Sequence, residues 1–378
     1  MSQPLLERAI GLAEQGWGRV QPNPMVGAVV TDEAGKVLGE GFHAVYGGPH
    51  AEVVALEAAG AAARGAILYV SLEPCSHYGR TPPCTDAILR AGVKRVVFGA
   101  SDPNPVAAGG AAVLRKAGVE VIGPVAADAV RRQNAIFFHT HELQRPFVTL
   151  KLACSLDGRI ATTRGQRTLI TGSAAQAETH RLRAGYDAVL VGSGTIQADN
   201  PLLTVRGAIV PVRPPIRVVL DSDARLTVDS ALVTTVDVAA VWLFHAADTP
   251  AERVERLSRS GVRVFSAPRG NGGVDIGAVL DTLWNQGVRS VFSEGGARVA
   301  GSLGRAGRID RFHLFLAPRL LGPDAVNAFD SLPAELPLSL TEVIRFGSDV
   351  LLTYDRSPDP EVRRSIAADL EDYVHRPG

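Results

Sequence analysis

Cysteine is scarce in this 378-residue chain: there are three, an odd number that cannot all pair. A disulfide-built scaffold is therefore not expected. A reducing, cytoplasmic setting is, with clustered thiols better read as metal ligands or nucleophiles. Lysine occurs only at Lys36, Lys94, Lys116 and Lys151, so arginine supplies almost all of the 39 basic residues. These balance 39 acidic residues, for a formal net charge of +0. Without a basic excess, neither nucleic acid nor a membrane surface is an expected partner. No run of about 18 uncharged apolar residues occurs, so no transmembrane span is expected. The charges within MSQPLLERAIGLAEQGWG read as an amphipathic helix and not as a signal peptide.

The composition that remains, 46% hydrophobic and 21% charged, is that of an ordinary globular protein. The length favours two domains. MVGAVVTDEAGKVLGEGF reads as a hairpin turning near Gly35, HAEVVALEAAGAAA as a helix and AILYVSLEPC as a buried strand. CTDAILRAG reads as a helix closed by Gly92 before the strand RVVFGA, and AAVLRKAGVEVIG repeats that pattern. The result is a three-layer α/β domain over residues 1–145. Arg145-Pro146 ends the helical reading, and FVTLKLA opens a second α/β domain over 146–356. Its expected strands lie in AGYDAVLVGSG, IRVVLDS, VAAVWLFHA, VRVFSA, RSVFSEGG and RFHLFLAPRLLG. The tail, 357–378, reads as a solvated helix with a frayed end and no chemistry.

Two of the three cysteines sit close behind a His-Ala-Glu triplet, each preceded by proline. A catalytic zinc site takes three protein ligands and leaves one position for water. His50, Cys75 and Cys84 supply that set, each expected at or near a helix start, where a thiol pKa falls and a proline is tolerated. Glu52, two residues after His50, is placed to move a proton between water and a departing amine. This is the ligand pattern of zinc nucleobase deaminases. Here, however, the eight residues SHYGRTPP separate the cysteines, which argues against members that edit nucleic acid. His77, inside that spacer, suits substrate contact, and Asn23, between two prolines, could read a pyrimidine edge by donating and accepting at once. In the second half VGSGT and SEGGARVAGSL are glycine turns of the kind that expose backbone N–H groups to phosphate. Neither is a G-x-G-x-x-G fingerprint, so a Rossmann domain is not supported.

PNPMVGAVV, GEGFH, PHAEVVAL, LYVSLEPCSHYGRTPPCTDAI and DPNP resemble the deaminase half of the bacterial bifunctional riboflavin-biosynthesis deaminase/reductase family. RPFVTLKLACSLDGRIA, LRAGYDAVLVGSGTIQADNPLLTVR and SEGGARVAGSL resemble its reductase half, so the resemblance covers about residues 2–355. It implies a cytidine-deaminase-like domain followed by a dihydrofolate-reductase-like α/β domain. The implied substrate is a diaminohydroxy-pyrimidinone carrying a ribosylamino 5-phosphate. The first domain would release a ring amine as ammonia; the second would use NADPH to reduce the ribose to a ribityl chain, in a cytoplasmic homo-oligomer. By the same resemblance His50, Cys75 and Cys84 hold Zn²⁺ and Glu52 is the general acid/base. Ala153, Leu169, Thr195, Asp199 and Ser222 then meet the cofactor, and a loop of Gly296, Ala297, Arg298, Val299, Ala300, Gly301 and Ser302 cradles its phosphates. Asn23, His77, Lys151, Arg167, Arg183, Leu203, Arg206 and Glu294 meet substrate, Arg183 and Arg206 at its phosphate, and Asp199 assists proton delivery. The chain departs from the family's Ser-x-Trp-Ile-Thr at Arg167-Thr168-Leu169-Ile170-Thr171. That leaves two competing expectations: a deaminase whose second domain has lost or changed its role, and a nucleic-acid deaminase, which the neutral charge disfavours.

Overall fold

A computed structural model describes residues 2–79, 81–329, 331–333 and 335–356; the tail read as a solvated helix lies outside the described residues. The chain divides into unit 1, Met1–Pro146 with Val205–Arg213, and unit 2, Phe147–Thr204 with Pro214–Gly378.

In unit 1, β1 (Gly27–Thr31), β2 (Val37–Phe42), β3 (Ile67–Leu72), β4 (Arg95–Ala100) and β5 (Glu120–Ile122) form one sheet in the order β2-β1-β3-β4-β5. β1 runs antiparallel to β2 and β3, whereas β3, β4 and β5 are parallel. The expected hairpin is therefore present, and Gly35 takes the left-handed backbone (φ +84°) of its turn. Successive side chains of β1 point to opposite faces. Ala28 and Val30 join a core beneath α2 (Ala51–Ala59), α3 (Cys84–Ala91) and α4 (Gly110–Lys116). Val29 joins Leu6 and Ala9 of α1 (Ser2–Ala13) on the other face, where α5 (Ala127–Gln133) and α6 (Ala135–Leu143) also pack. Because both faces are covered, β1 and β3 read as unbroken apolar runs. Helix α2 stops at Ala59, short of the apolar run that predicted it, because Gly60 turns left-handed (φ +55°) into a 3₁₀ turn.

Unit 2 is built on nine strands in the order β11-β10-β9-β8-β14-β6-β15-β18-β17. These are β6 (Phe147–Ser155), β8 (Ala188–Gly192), β9 (Ile216–Leu220), β10 (Val241–Ala246), β11 (Arg263–Ala267), β14 (Ser290–Ser293), β15 (Arg311–Ala317), β17 (Leu338–Phe346) and β18 (Asp349–Arg356). The strands from β11 to β15 are parallel, and β18 and β17 extend the sheet antiparallel. All six strands anticipated after FVTLKLA are present; β17 and β18 are additions to that reading. Small two-stranded sheets pair β7 (Arg159–Ala161) with β16 (Val326–Asn327) and β12 (Arg269–Gly270) with β13 (Gly273–Val274). Helices α7 (Ser173–Arg183), α8 (Ser193–Asp199), α9 (Ala251–Arg259), α10 (Ile276–Asn285) and α11 (Ala297–Arg305) connect the strands. One core gathers Leu150, Leu152, Leu190, Val218, Phe244 and Val291; the other gathers Val189, Val191, Val219, Leu243 and Leu257. Ligands of such parallel sheets bind beyond the carboxyl ends of the strands. Here those ends lead into Gly192 and Glu294.

Two packing details are testable. A Cβ at Gly39 would lie 2.4 Å from the Ala55 carbonyl oxygen and 2.5 Å from the Ala59 nitrogen, so glycine lets α2 lie on β2. Gly39→Ala is expected to destabilise unit 1 by about 1–3 kcal/mol, read from urea unfolding. His313 of β15 is buried, with Nδ1 3.0 Å from Thr353 Oγ1. Burial, then the charges of Arg311, Arg181 and Lys151, bring its pKa down from 6.5 to about 3. The unfolded chain takes up that proton first, so the contribution of neutral His313 is complete above pH 6.5 and is lost as pH falls toward 3. His313→Gln should flatten the acid side of the stability curve measured by urea unfolding across that window.

Candidate metal centre and reductase site

His50 is the residue before α2, with extended backbone, and Cys84 is the first residue of α3, after Pro83. Cys75 differs from expectation: it lies in the loop after β3, not at a helix start of its own. The start of α3 acts on it through space, because the Cys84 backbone N–H donates to Cys75 Sγ at 3.3 Å. Pro74 and Pro83 thus aim two chain segments, and one helix start serves both thiols. His50 Nδ1 lies 3.3 Å from Cys84 Sγ and 3.6 Å from Cys75 Sγ, and the three donor atoms lie within 4.8 Å of one another. Tetrahedral zinc, with bonds of about 2.05 Å to nitrogen and 2.3 Å to sulfur, separates such donors by roughly 3.6–3.8 Å. The donor set and its spacing fit zinc. The Cys84 thiol, then His50 and the Cys84 amide, hold the Cys75 thiol well below its ordinary pKa, toward the thiolate a metal requires.

Glu52, in the first turn of α2, is buried within hydrogen-bond reach of the Cys84 thiol. Burial, then the Cys75 charge, raises its carboxyl to about 7 against the pull of His50. A carboxyl so placed can both take and return a proton near neutrality. A cleft of about 220 Å³ opens here, with Asn23, His43, His50, Glu52, Cys75, His77, Asp102 and Asn104 in its walls. His43 carries a role the sequence reading missed. Its Nδ1 lies 2.9 Å from the Pro49 carbonyl oxygen, which can only accept, so Nδ1 holds the proton. Its Nε2 then accepts from Asn23 Nδ2 at 3.2 Å, which orients the Asn23 amide in the cleft. Asn134, also missed, accepts from the Met25 amide at 2.7 Å and donates to the Met25 carbonyl at 3.0 Å, holding the same loop. Both contacts join segments distant in sequence and carry no local signature. His77 Nδ1 is buried without a hydrogen-bond partner among the described residues.

The loop DPNPVAAGGAAVL supports the cysteines from behind. Glu73 accepts the Ala111 amide at 3.0 Å and the Asp102 amide at 3.3 Å, and Ser76 Oγ donates to the Ala108 carbonyl at 2.9 Å. A Cβ at Gly110 would lie 1.8 Å from the Pro74 carbonyl oxygen, so α4 can seat behind Cys75 only with glycine there.

In unit 2, β6 turns Leu150, Leu152 and Cys154 into the core and Lys151 and Ala153 to the other face. Arg183 is not an open phosphate ligand. Its Nε and Nη2 grip Glu294, the latter at 2.9 Å, and its Nη1 donates to the Thr204 carbonyl at 3.0 Å. Burial alone would raise the Glu294 carboxyl, but Arg183 and Lys151 hold it below the usual range. Burial in turn holds the Lys151 ammonium below its ordinary value, Glu294 opposing. The expected Gly296–Ser302 loop is a helix start: Gly296 caps α11, and Val299 and Ala300 are core residues. A Cβ at Gly301 would lie 2.2 Å from the Ser331 carbonyl oxygen. Only the first turn, Gly296 to Arg298, is thus free to offer amides to a phosphate. Ser222 and Ser302 flank the Gly272–Gly273 turn, and Thr195 and Asp199 share α8. Arg167 lies within electrostatic range of Asp199. Leu169 is exposed, and its carbonyl accepts from Arg319 Nη1 at 2.9 Å. Leu203 is buried with a left-handed backbone (φ +54°). Arg206 lies on Val205–Arg213, the segment grouped with unit 1. A second cleft, of about 290 Å³, lies between α8 and the Asp221–Ser230 loop, and its walls include none of the residues expected at the reductase site.

Residues 1–100 match the cytidine and deoxycytidylate deaminase zinc-binding region, and residues 146–352 match the RibD C-terminal domain. The riboflavin biosynthesis protein RibD of Bacillus amyloliquefaciens is 41% identical over 363 residues, 93% of this chain and 96% of that protein. The chain belongs to the RibD family. RibD of Escherichia coli (strain K12) is 38% identical over 365 residues, 92% of this chain and 97% of its own length. A solved Acinetobacter baumannii RibD structure superposes with a TM-score of 0.82 at 35% identity, covering 94% of this chain and 99% of that one. RibD joins a zinc-binding deaminase domain to an NADPH-dependent reductase domain in riboflavin biosynthesis. This chain carries both, so it is a bifunctional enzyme acting on small molecules, and the single-activity expectation is set aside. Among the described residues no helix is long and apolar enough to cross a membrane.

Gly110→Ala should lower zinc retention about tenfold or more without touching a ligand, measured by competition with a chromophoric chelator.

Proposed function

We propose that the first site hydrolytically deaminates a diaminohydroxy-pyrimidinone bearing a ribosylamino 5-phosphate, and that the second reduces its ribose to a ribityl chain with NADPH. The carrying observation is the meeting of His50 Nδ1, Cys75 Sγ and Cys84 Sγ within 4.8 Å, with Glu52 buried beside them. The Thermotoga maritima relative, 35% identical with a TM-score of 0.79, is described as a diaminohydroxyphosphoribosylaminopyrimidine deaminase/5-amino-6-(5-phosphoribosylamino)uracil reductase. Zinc, which His50, Cys75 and Cys84 would hold, would supply Lewis acidity to polarise a water as nucleophile. Glu52, buried beside them, is placed to take a proton from the attacking water and to hand it to the ring amine, which would leave as ammonia. Asn23, oriented by His43, reads the pyrimidine edge, and His77 lines the same cleft as a substrate contact. In unit 2 bound NADPH would supply the hydride to the sugar carbon as that carbon's bond to the ring oxygen opens, and that oxygen would take a proton. Asp199 delivers it; partial burial raises its pKa, against the charge of Arg167. Lys151, Leu203 and Glu294 face the sugar and pyrimidine, and the first turn of α11, with Ala153, Leu169, Thr195 and Ser222, faces the cofactor. The family resemblance assigns Arg206 to the substrate's phosphate. The same reading includes a cytoplasmic setting, supported by three unpaired thiols, and a homo-oligomer, checked by light scattering.

Glu52→Gln should keep one zinc per chain yet slow ammonia release by roughly 10²–10⁴-fold. Chelation should abolish ammonia release and leave NADPH oxidation on deaminated substrate intact; loss of both would overturn the division of labour. Asp199→Asn with undiminished NADPH oxidation would remove the role given to that carboxyl.

A further inference from the structure

Arg217, in β9, is fully buried, and among the described residues none of its hydrogen-bond partners is a carboxylate. Burying a guanidinium without an anion is costly unless its donors are satisfied. Burial brings its pKa down to about 10. Its Nη1 and Nη2 donate to oxygens in two places, while Nε is buried without a partner among the described residues. Nη2 donates to the Thr235 carbonyl at 2.7 Å and to the Ala239 carbonyl, and Nη1 donates to Thr235 Oγ1 at 2.7 Å. Nη1 also donates to the Leu202 carbonyl at 3.3 Å. The stretch 201–204 belongs to no helix or strand. Within it Leu203 holds a left-handed backbone (φ +54°), a conformation that a bulky side chain avoids unless its surroundings impose it. The residues before and after Leu203 are each held through a carbonyl: Arg217 donates to that of Leu202, in the peptide bonded to the Leu203 nitrogen, and Arg183 donates to that of Thr204, one peptide further on, at 3.0 Å. Asn200 anchors the same stretch by accepting the Ala231 amide at 2.8 Å.

We propose that Arg217 is a positioning residue of the reductase site: with Arg183 it clamps the carbonyls on either side of Leu203 and so sets the backbone that meets the pyrimidine substrate. This rests on the reading of Leu203 as a substrate contact. Arg217 touches neither substrate nor cofactor in this account; it acts through Leu202.

The test uses the full-length zinc-loaded enzyme with Arg217→Met and, as the milder change that keeps a charge but not a two-edged fork, Arg217→Lys. Two readouts are needed. Amide hydrogen exchange should quicken in 200–204 while β9 and β10 stay protected. KM for the deaminated pyrimidine should rise roughly tenfold or more, with KM for NADPH and the rate of ammonia release within about twofold of the parent. Unchanged exchange in 200–204 in a folded variant overturns the clamp. Quickened exchange with an unchanged pyrimidine KM overturns the assignment of Leu203 as a substrate contact, and the proposal with it. Equal increases in both KM values overturn it as well, since they mark a general loss of structure and not a displaced loop.

Discussion

Three donor atoms, on residues 9, 25 and 34 positions apart in the chain, must meet at one point before any chemistry is possible in unit 1. No local interaction can arrange this. It depends on the five-stranded sheet delivering β3 to Pro74-Cys75 beside the start of α3, and on glycines in β2 letting α2 settle with His50 at its tip. The sheet, its two helical layers and the close approach of α4 to the Pro74 carbonyl are therefore conditions for the metal site. Much of what reads as packing in this unit is alignment of ligands.

Unit 2 solves a different problem. On the reading proposed above its site would handle a phosphorylated sugar and a dinucleotide, and the framework there is buried charge. Lys151, Arg183 and Glu294 perturb one another in a largely desolvated space. Within this cluster Glu294 stabilises both cations while Arg183 disfavours the Lys151 ammonium, so removing Glu294 would leave two like charges buried and uncompensated. Arg217 belongs to the same style of construction, with carbonyl dipoles in place of a carboxylate. Arginine's planar fork suits both uses, in keeping with a chain that contains so little lysine.

Much of this was legible in the sequence, for identifiable reasons. His50, Glu52, Cys75 and Cys84 stand out because metal ligation needs few residue types, and prolines mark where the chain turns toward the ion. The central strands of both sheets are legible because both their faces are buried. What stayed hidden depends on contacts distant in sequence. His43 and Asn134 look like any polar residue until Asn23 and Met25 are seen against them. Among so many arginines, nothing local distinguishes Arg183, gripped by Glu294, or Arg217, fully buried, from a solvated one. The resemblance implies a phosphate-cradling loop over Gly296–Ser302, yet Val299, Ala300 and Leu303 give that stretch a buried helical face. The hairpin of β17 and β18 escaped because a bulge between Leu340 and Glu342 interrupts the two-residue alternation.

That hairpin has a further consequence. Strand β17 is the outermost of nine, bonded within its sheet to β18 alone, and it leaves Leu340 and Val343 open to solvent. An open edge with apolar side chains is where a crowded solution of identical chains begins to stack into insoluble cross-β material. The bulge, with exposed Glu342 and Arg345 on the same strand, makes that edge a poor template, so it works as a guard against aggregation.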